Sequence, residues 1–192
     1  MWTSTNKKLS LFLGIIFTIG IILGFIFLIY LDEANKEIIY LNINEWLQNL
    51  NTSHINNIIS HIAILSSLFI LSLFMIGIPL SLFFVFYNGF SIGFLLMALI
   101  DIFGIKGLLY GLVYVIITKG IYLFLALLFV LALIKIAIMF LKALISKEKI
   151  NKDSLSKLLK RIFICIAIIL ISDVILYFGG TKLINVFNFL IF

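Results

Sequence analysis

The sequence predicts an all-α integral membrane protein: a bundle of about five transmembrane helices plus a re-entrant or half-helix, forming a single membrane domain over 1–192. Three observations predict it. Hydrophobic residues make up 64% of the chain and charged ones 11%, against about 45–50% and about 25% in soluble domains. The apolar residues fall in long runs, several of them sufficient for the roughly 30 Å hydrocarbon layer at about 1.5 Å per helical residue. Seven of the fourteen basic residues lie between Lys142 and Arg161, the asymmetry expected of a loop beside membrane spans. A soluble fold of this length leaves roughly a third of its chain surface exposed and could not hide so much apolar area. Inside lipid the backbone must satisfy its own hydrogen bonds, which selects helices.

The elements follow in order. Lys7-Lys8 precede the first span, 9–31. Its apolar run exceeds the about 7–15 residues of a signal-peptide core, and no small-x-small cleavage site precedes Asp32, so it reads as a retained span. Next comes an acidic stretch in which Asp32, Glu33, Glu37 and Glu45 face one cation, Lys36. Ile38, Ile39, Leu41, Trp46, Leu47 and Leu50 recur there at near-helical spacing. That suits an amphipathic segment at the interface, with Trp46 at headgroup depth. The second span is 62–86, kinked at Pro79, the only proline, because proline lacks a donor and crowds the preceding turn.

Tyr87-Asn88-Gly89 reads as a polar break before a third span, 89–103. Gly104, Lys106 and Gly107 mark another. The apolar stretch Leu108–Thr118 is only about 16 Å long as a helix, too short to cross, so 107–118 is the half-helix. Lys119-Gly120 separates it from a fourth span, 121–141. A basic cytoplasmic segment, 142–161, leads to the fifth span, 162–178, which ends at Gly179-Gly180 before an amphipathic tail, Thr181–Phe192.

Parity agrees with charge. With the N-terminus cytoplasmic in a multi-pass bacterial cell-membrane protein, residues 32–60 and the tail lie outside and 142–161 returns inside. A full crossing by 107–118 would put the basic cluster outside. The net charge of +6 therefore points to anionic lipid rather than nucleic acid. The lone Cys165 excludes an internal disulfide framework and a cysteine-based zinc cluster.

Few residues suggest chemistry. Gly89 and Gly93 share one helical face where another backbone can approach closely, and Gly20–Gly24 and Gly107–Gly111 repeat that spacing. The half-helix or the fourth span is the expected partner of Gly89 and Gly93. Asp173, inside the fifth span, is costly there unless it faces a cavity or a partner. Lys119 is the expected counter-ion, with Asp101 a competing carboxylate, and Asn88 in the polar break joins them as a candidate site residue. Lys135 is placed to snorkel toward headgroups. His54 and His61, seven apart, could share a face, but two histidines without a third ligand make a weak metal site. No recognised catalytic or nucleotide-binding motif occurs. Neither catalytic residues nor a cofactor or metal are assigned.

In its order of features the chain resembles the stage II sporulation protein M family of bacterial membrane proteins. The resemblance covers the first span to Gly180. It rests on Gly77-Ile78-Pro79, the run Tyr87-Asn88-Gly89-Phe90-Ser91-Ile92-Gly93-Phe94, the Gly104…Gly107…Gly111 segment, the basic loop and Asp173. Asn-Gly-Phe-x-x-Gly-Phe is its most specific part. Where such proteins usually carry a proline before the fourth span, this chain reads Val115-Ile116-Ile117-Thr118-Lys119-Gly120.

The resemblance implies a subunit of a membrane complex. Similar proteins occur in gene clusters for circular bacteriocins, in maturation, export or producer protection, and the missing proline inclines the reading to that branch over a sporulation (engulfment) scaffold. The partners it implies are other membrane proteins, an ATPase and a hydrophobic peptide. Two other readings stand beside it: a transporter or channel using Asp173 and Lys119, and a membrane peptide-processing enzyme.

Overall fold

The computed structural model describes residues 4–48, 53–74, 76–147 and 151–180. Among them the chain is helical between short turns: α1 (Ser4–Ile29), α2 (Glu33–Gln48), α3 (Ser53–Ser72), α4 (Gly77–Phe103), α5 (Ile105–Ser146) and α6 (Lys152–Ile175), continued by a π-helical turn, Leu176–Gly180. Four stretches are long and apolar enough to cross a membrane: Lys7–Ile29, Gly77–Phe103, Ile105–Ile145 and Lys152–Gly179. A shorter apolar stretch, Ile58–Ser72 in α3, accompanies them. Large apolar side chains such as Leu11, Phe83, Phe124 and Ile164 face outward on all four long helices, more exposed apolar surface than soluble monomers carry.

The division into helices differs from the sequence reading in three places. The expected second span, 62–86, is divided between two helices: α3 ends at Ser72 and α4 starts at Gly77, whose backbone lies against that of Ser72. A Cβ on Gly77 would meet the backbone of Leu71 and Ser72, so this approach closes only on glycine. Pro79 then sits in the first turn of α4, two residues after Gly77. The N–H it lacks is one of the first four that have no intrahelical acceptor anyway, so it starts a helix instead of kinking one. Tyr87-Asn88-Gly89 does not break the chain either: it lies inside α4, with Asn88 Nδ2 donating to the Phe84 carbonyl at 2.8 Å.

The third difference is the largest. The expected half-helix, 107–118, and the expected fourth span, 121–141, are one continuous helix. α5 has 42 residues and runs through Lys119-Gly120. The shorter apolar helix of the fold is therefore α3. Gly104 alone turns the chain from α4 into α5, at φ 63°, its N–H donating to Ile100 O at 2.7 Å. Positive φ suits glycine, and Gly107 lets α5 rest directly on the Leu99 carbonyl of α4.

Glycines also set the helix directions. A Cβ on Gly89 would strike Phe17 and Ile21, and one on Gly93 would strike Ile21. Gly20 in turn faces Phe86 and Phe90, while Gly24 faces Phe90 and Phe94. The contact numbers rise together, so α1 and α4 run parallel with backbones in close approach. Gly107 facing Leu99 and Gly111 facing Leu96 make α5 antiparallel to α4. Phe69 beside Phe163 and His61 beside Asp173 make α3 antiparallel to α6. The start of α1, the α3–α4 turn and the α5–α6 turn thus lie at one end of the bundle. Ile29, α2 and Gly104 lie at the other.

The main core gathers Leu13, Leu65, Val85, Phe129, Leu133 and Ile169, drawn from α1, α3, α4, α5 and α6. A smaller one at the α2 end joins Leu28, Ile43, Ala98, Leu99, Tyr110 and Tyr114. α2 therefore buries Ile43 against the bundle and leaves Ile38 and Leu41 outward. Its Tyr40 hydroxyl donates to Asp101 Oδ2 at 2.9 Å. Burial, reinforced by that carboxylate, pushes the Tyr40 pKa up to about 12. At the other end the described parts of the basic segment belong to the last turns of α5 and the first turns of α6. Lys147 caps α5 in the left-handed region, and Asn151 caps α6 by accepting from the N–H groups of Asp153 and Ser154. The Thr181–Phe192 tail and the side chains of Trp46 and His54 lie outside the described residues.

Candidate functional site

One polar cavity lies inside the bundle, a space of about 130 Å³ where α3, α4, α5, α6 and the π-helical turn meet. Its centre is a pair the sequence did not suggest. Nδ1 of His61, on α3, and Oδ2 of Asp173, on α6, share a hydrogen bond at 2.8 Å. The imidazole lies flat on the ring of Tyr122, centroids 4.2 Å apart and planes 14° apart. Stacking fixes the ring plane while the hydrogen bond fixes its rotation, so both degrees of freedom of the imidazole are held.

Asp173 is buried at 8% side-chain exposure, whereas His61 keeps 23%. The carboxylate thus depends on the histidine more than the reverse. After Asp173 the helix changes pitch: the Leu176 N–H is shared between the carbonyls of Asp173 and Ser172, and the wider π-helical turn Leu176–Gly180 follows, with Leu176 at the cavity wall. Such widened turns recur at functional sites.

The expected counter-ion lies close without pairing. Lys119 lines the same cavity, yet among the described residues Asp173 has His61, not Lys119, as its contact. Asp101 is remote, tied to Tyr40 near α2. Thr118, beside Lys119, donates back to Tyr114 O at 2.7 Å. Asn88 also reaches the cavity; with one of its two amide N–H groups donated to the Phe84 carbonyl, the other N–H and the side-chain carbonyl oxygen remain as a donor and an acceptor. The cavity therefore offers a cation, a carboxylate–imidazole pair and neutral acceptors, in a space several times the roughly 10–15 Å³ that one water requires. Reckoned along the helices from Arg161 and Lys135, the pair and Lys119 lie about 18–24 Å from the basic end of the apolar layer.

The candidate glycines sit elsewhere. Gly20, Gly24, Gly89 and Gly93 form the α1–α4 contact, and Gly107 and Gly111 the α4–α5 contact. The partner of Gly89 and Gly93 is thus α1, not 107–118 or 121–141. Their faces are used inside the chain. Among the described residues no group of three metal-ligating side chains assembles, and the second histidine of the His54–His61 pair has no described side chain.

His61 could have been singled out as the only histidine within an otherwise apolar helix run. Its pairing with Asp173 could not, since 112 residues separate the two. Comparison of the chain with protein-family models, with curated proteins and with solved structures finds no match.

Proposed function

We propose that the chain is a non-catalytic membrane subunit of a multiprotein complex that handles a secreted peptide or envelope substrate, leaning to a role in circular-bacteriocin maturation, export or producer protection over a sporulation scaffold. In this reading it sits in a bacterial cell membrane with the N-terminus and the α5–α6 turn in the cytoplasm. One observation carries most of the argument. α5 has 42 residues, about 63 Å of helix, against roughly 30 Å of hydrocarbon. Its last turns and the first turns of α6 therefore form a basic hairpin that reaches beyond the apolar layer, the kind of projection a soluble partner such as an ATPase can grip. The Asn88-Gly89-Phe90 to Gly93-Phe94 run supports the same reading by resemblance alone.

The test is genetic and biochemical together. In a producing strain, deletion of the chain should abolish peptide export or the producer's own resistance. The tagged chain should co-purify with the cluster's ATPase in mild detergent, and should lose it when Lys152, Lys157 and Lys160 become Gln. Unchanged export, resistance and co-purification would sink the proposal.

A second reading, a transporter or channel component, is favoured by the His61–Asp173 pair beside Lys119, since ionisable residues inside membrane helices commonly mark ion or proton paths. Proteoliposomes holding the purified chain alone should then acidify under an imposed gradient, and His61→Gln should stop them.

A further inference from the structure

We propose that the groove between α5 and α6 is a binding site for an anionic phospholipid, its phosphate held between Lys135 and Arg161 and one acyl chain lying along the groove toward Phe124 and Ile168. The proposal rests on the membrane reading above, but not on the peptide-handling role. The groove has a volume of about 480 Å³ and is walled by Phe124, Leu128 and Ala132 on α5 and by Ile164, Cys165 and Ile168 on α6. Charge enters only at one end, where Lys135 and Arg161 line it.

Those two side chains come from antiparallel helices and stand close enough to repel. Like charges facing each other cost free energy unless an anion lies between them. Among the described residues neither has a carboxylate partner. Asp153 is eight residues before Arg161, about 12 Å away along α6. Among the described residues this pair of cations is therefore left uncompensated.

Depth fits a lipid better than a free ion. Arg161 is the last charge before the apolar run that opens at Ile162, which puts it at headgroup level, and Lys135 lies across from it with a stem long enough to snorkel there. From Lys135 to Phe124 is about 16 Å of helix directed into the apolar layer, the direction an acyl chain takes below its phosphate. Phe124 and Ile164 are 64% and 57% exposed, so the groove opens sideways to lipid. Basic pockets between membrane helices are recognised headgroup sites. An inorganic phosphate would use the two cations and leave the apolar length of the groove without a role.

The test uses the full-length chain in detergent micelles offered equal amounts of phosphatidylglycerol and phosphatidylcholine, with retained lipid counted by native mass spectrometry. Two cations near a phosphate predict a preference for phosphatidylglycerol of roughly thirtyfold. Lys135→Gln with Arg161→Gln should bring the two lipids to near parity. Lys142→Gln with Lys147→Gln, at the end of α5 but outside the groove, should leave the preference intact. Equal retention by the wild type, or equal loss in both double variants, would overturn the site in favour of diffuse charge attraction. Glycerol phosphate displacing the lipid as well as whole phosphatidylglycerol does would overturn the acyl-chain part.

A second measurement does not depend on the charge variants folding. With Trp2 and Trp46 replaced by Phe and Phe124→Trp as the only indole, a small fraction of phosphatidylglycerol brominated in its acyl chains should quench well beyond its share of the bilayer. Quenching equal to that share overturns the proposal. A chain that stays in solution without detergent would overturn the membrane reading, and the site with it.

Discussion

Asp173 and His61 stand 2.8 Å apart in surroundings where a lone charge costs about 2.5–3.5 kcal/mol on insertion scales. Removing one member of a buried pair is usually worse than removing both, because the survivor remains desolvated. The difference in exposure, 8% for Asp173 and 23% for His61, sets the order of damage. His61→Leu should destabilise the chain by about 3–5 kcal/mol, Asp173→Leu by less, and the double variant should be more stable than His61→Leu alone. Thermal unfolding of the four proteins in one detergent measures this. Single effects that add to within about 0.5 kcal/mol in the double variant would mean that the pair is not an energetic unit. At this scale the sequence disclosed half the site. A carboxylate among apolar residues is conspicuous, so Asp173 stands out; Lys119, expected as its counter-ion, lines the same cavity without pairing. The His61–Asp173 contact depends on which rotation of α3 faces α6, and no local pattern encodes that.

Elements turn on the same residue types used in opposite ways. Glycine and asparagine clusters read as breaks, yet Gly89 and Gly120 lie inside helices. A mid-helix glycine costs only about 0.8–1.0 kcal/mol relative to alanine, which the packing of an amphipathic or buried helix readily outweighs. The two positions should respond with opposite signs. Nothing lies within 4 Å of a Cβ added to Gly120, whereas one on Gly93 meets the Ile21 backbone. Gly120→Ala should therefore stabilise the protein by up to about 1 kcal/mol, while Gly93→Ala should lower the melting temperature by forcing α1 from α4. Circular-dichroism melts of both variants decide it. Destabilisation by Gly120→Ala would argue for a real break at Lys119-Gly120 and for the half-helix. Pro79 teaches a similar lesson, because whether proline kinks or starts a helix depends on where the preceding turn falls, and Gly77 set that point by fitting against Ser72.

For the whole molecule, the parallel α1–α4 contact and the antiparallel α4–α5 and α5–α6 contacts constrain sidedness. Glu45 on α2 and Lys152 at the α5–α6 turn, both exposed, lie at opposite ends of the bundle. With Cys165, the chain's only cysteine, replaced by Ala, a cysteine at Glu45 should label with a membrane-impermeant maleimide from one face of intact cells. A cysteine at Lys152 should label only after the cells are opened. Labelling of both from outside would refute the bundle's placement across the membrane.

Composition and run length by themselves determined that this chain is helical and has stretches able to cross a bilayer, because apolar surface and backbone satisfaction in lipid are properties of any segment long enough. The concentration of charge at 142–161 was equally legible. Tertiary structure alone decided how those stretches are divided: a division between Ser72 and Gly77, one helix from Ile105 to Ser146, and α1 as the partner of Gly89 and Gly93. It alone brought His61 to Asp173 and Lys135 to Arg161. Each outcome depends on close contact between segments far apart in the chain, where backbone approach at glycines selects the rotation and register of every helix, and local sequence carries no term for that contact.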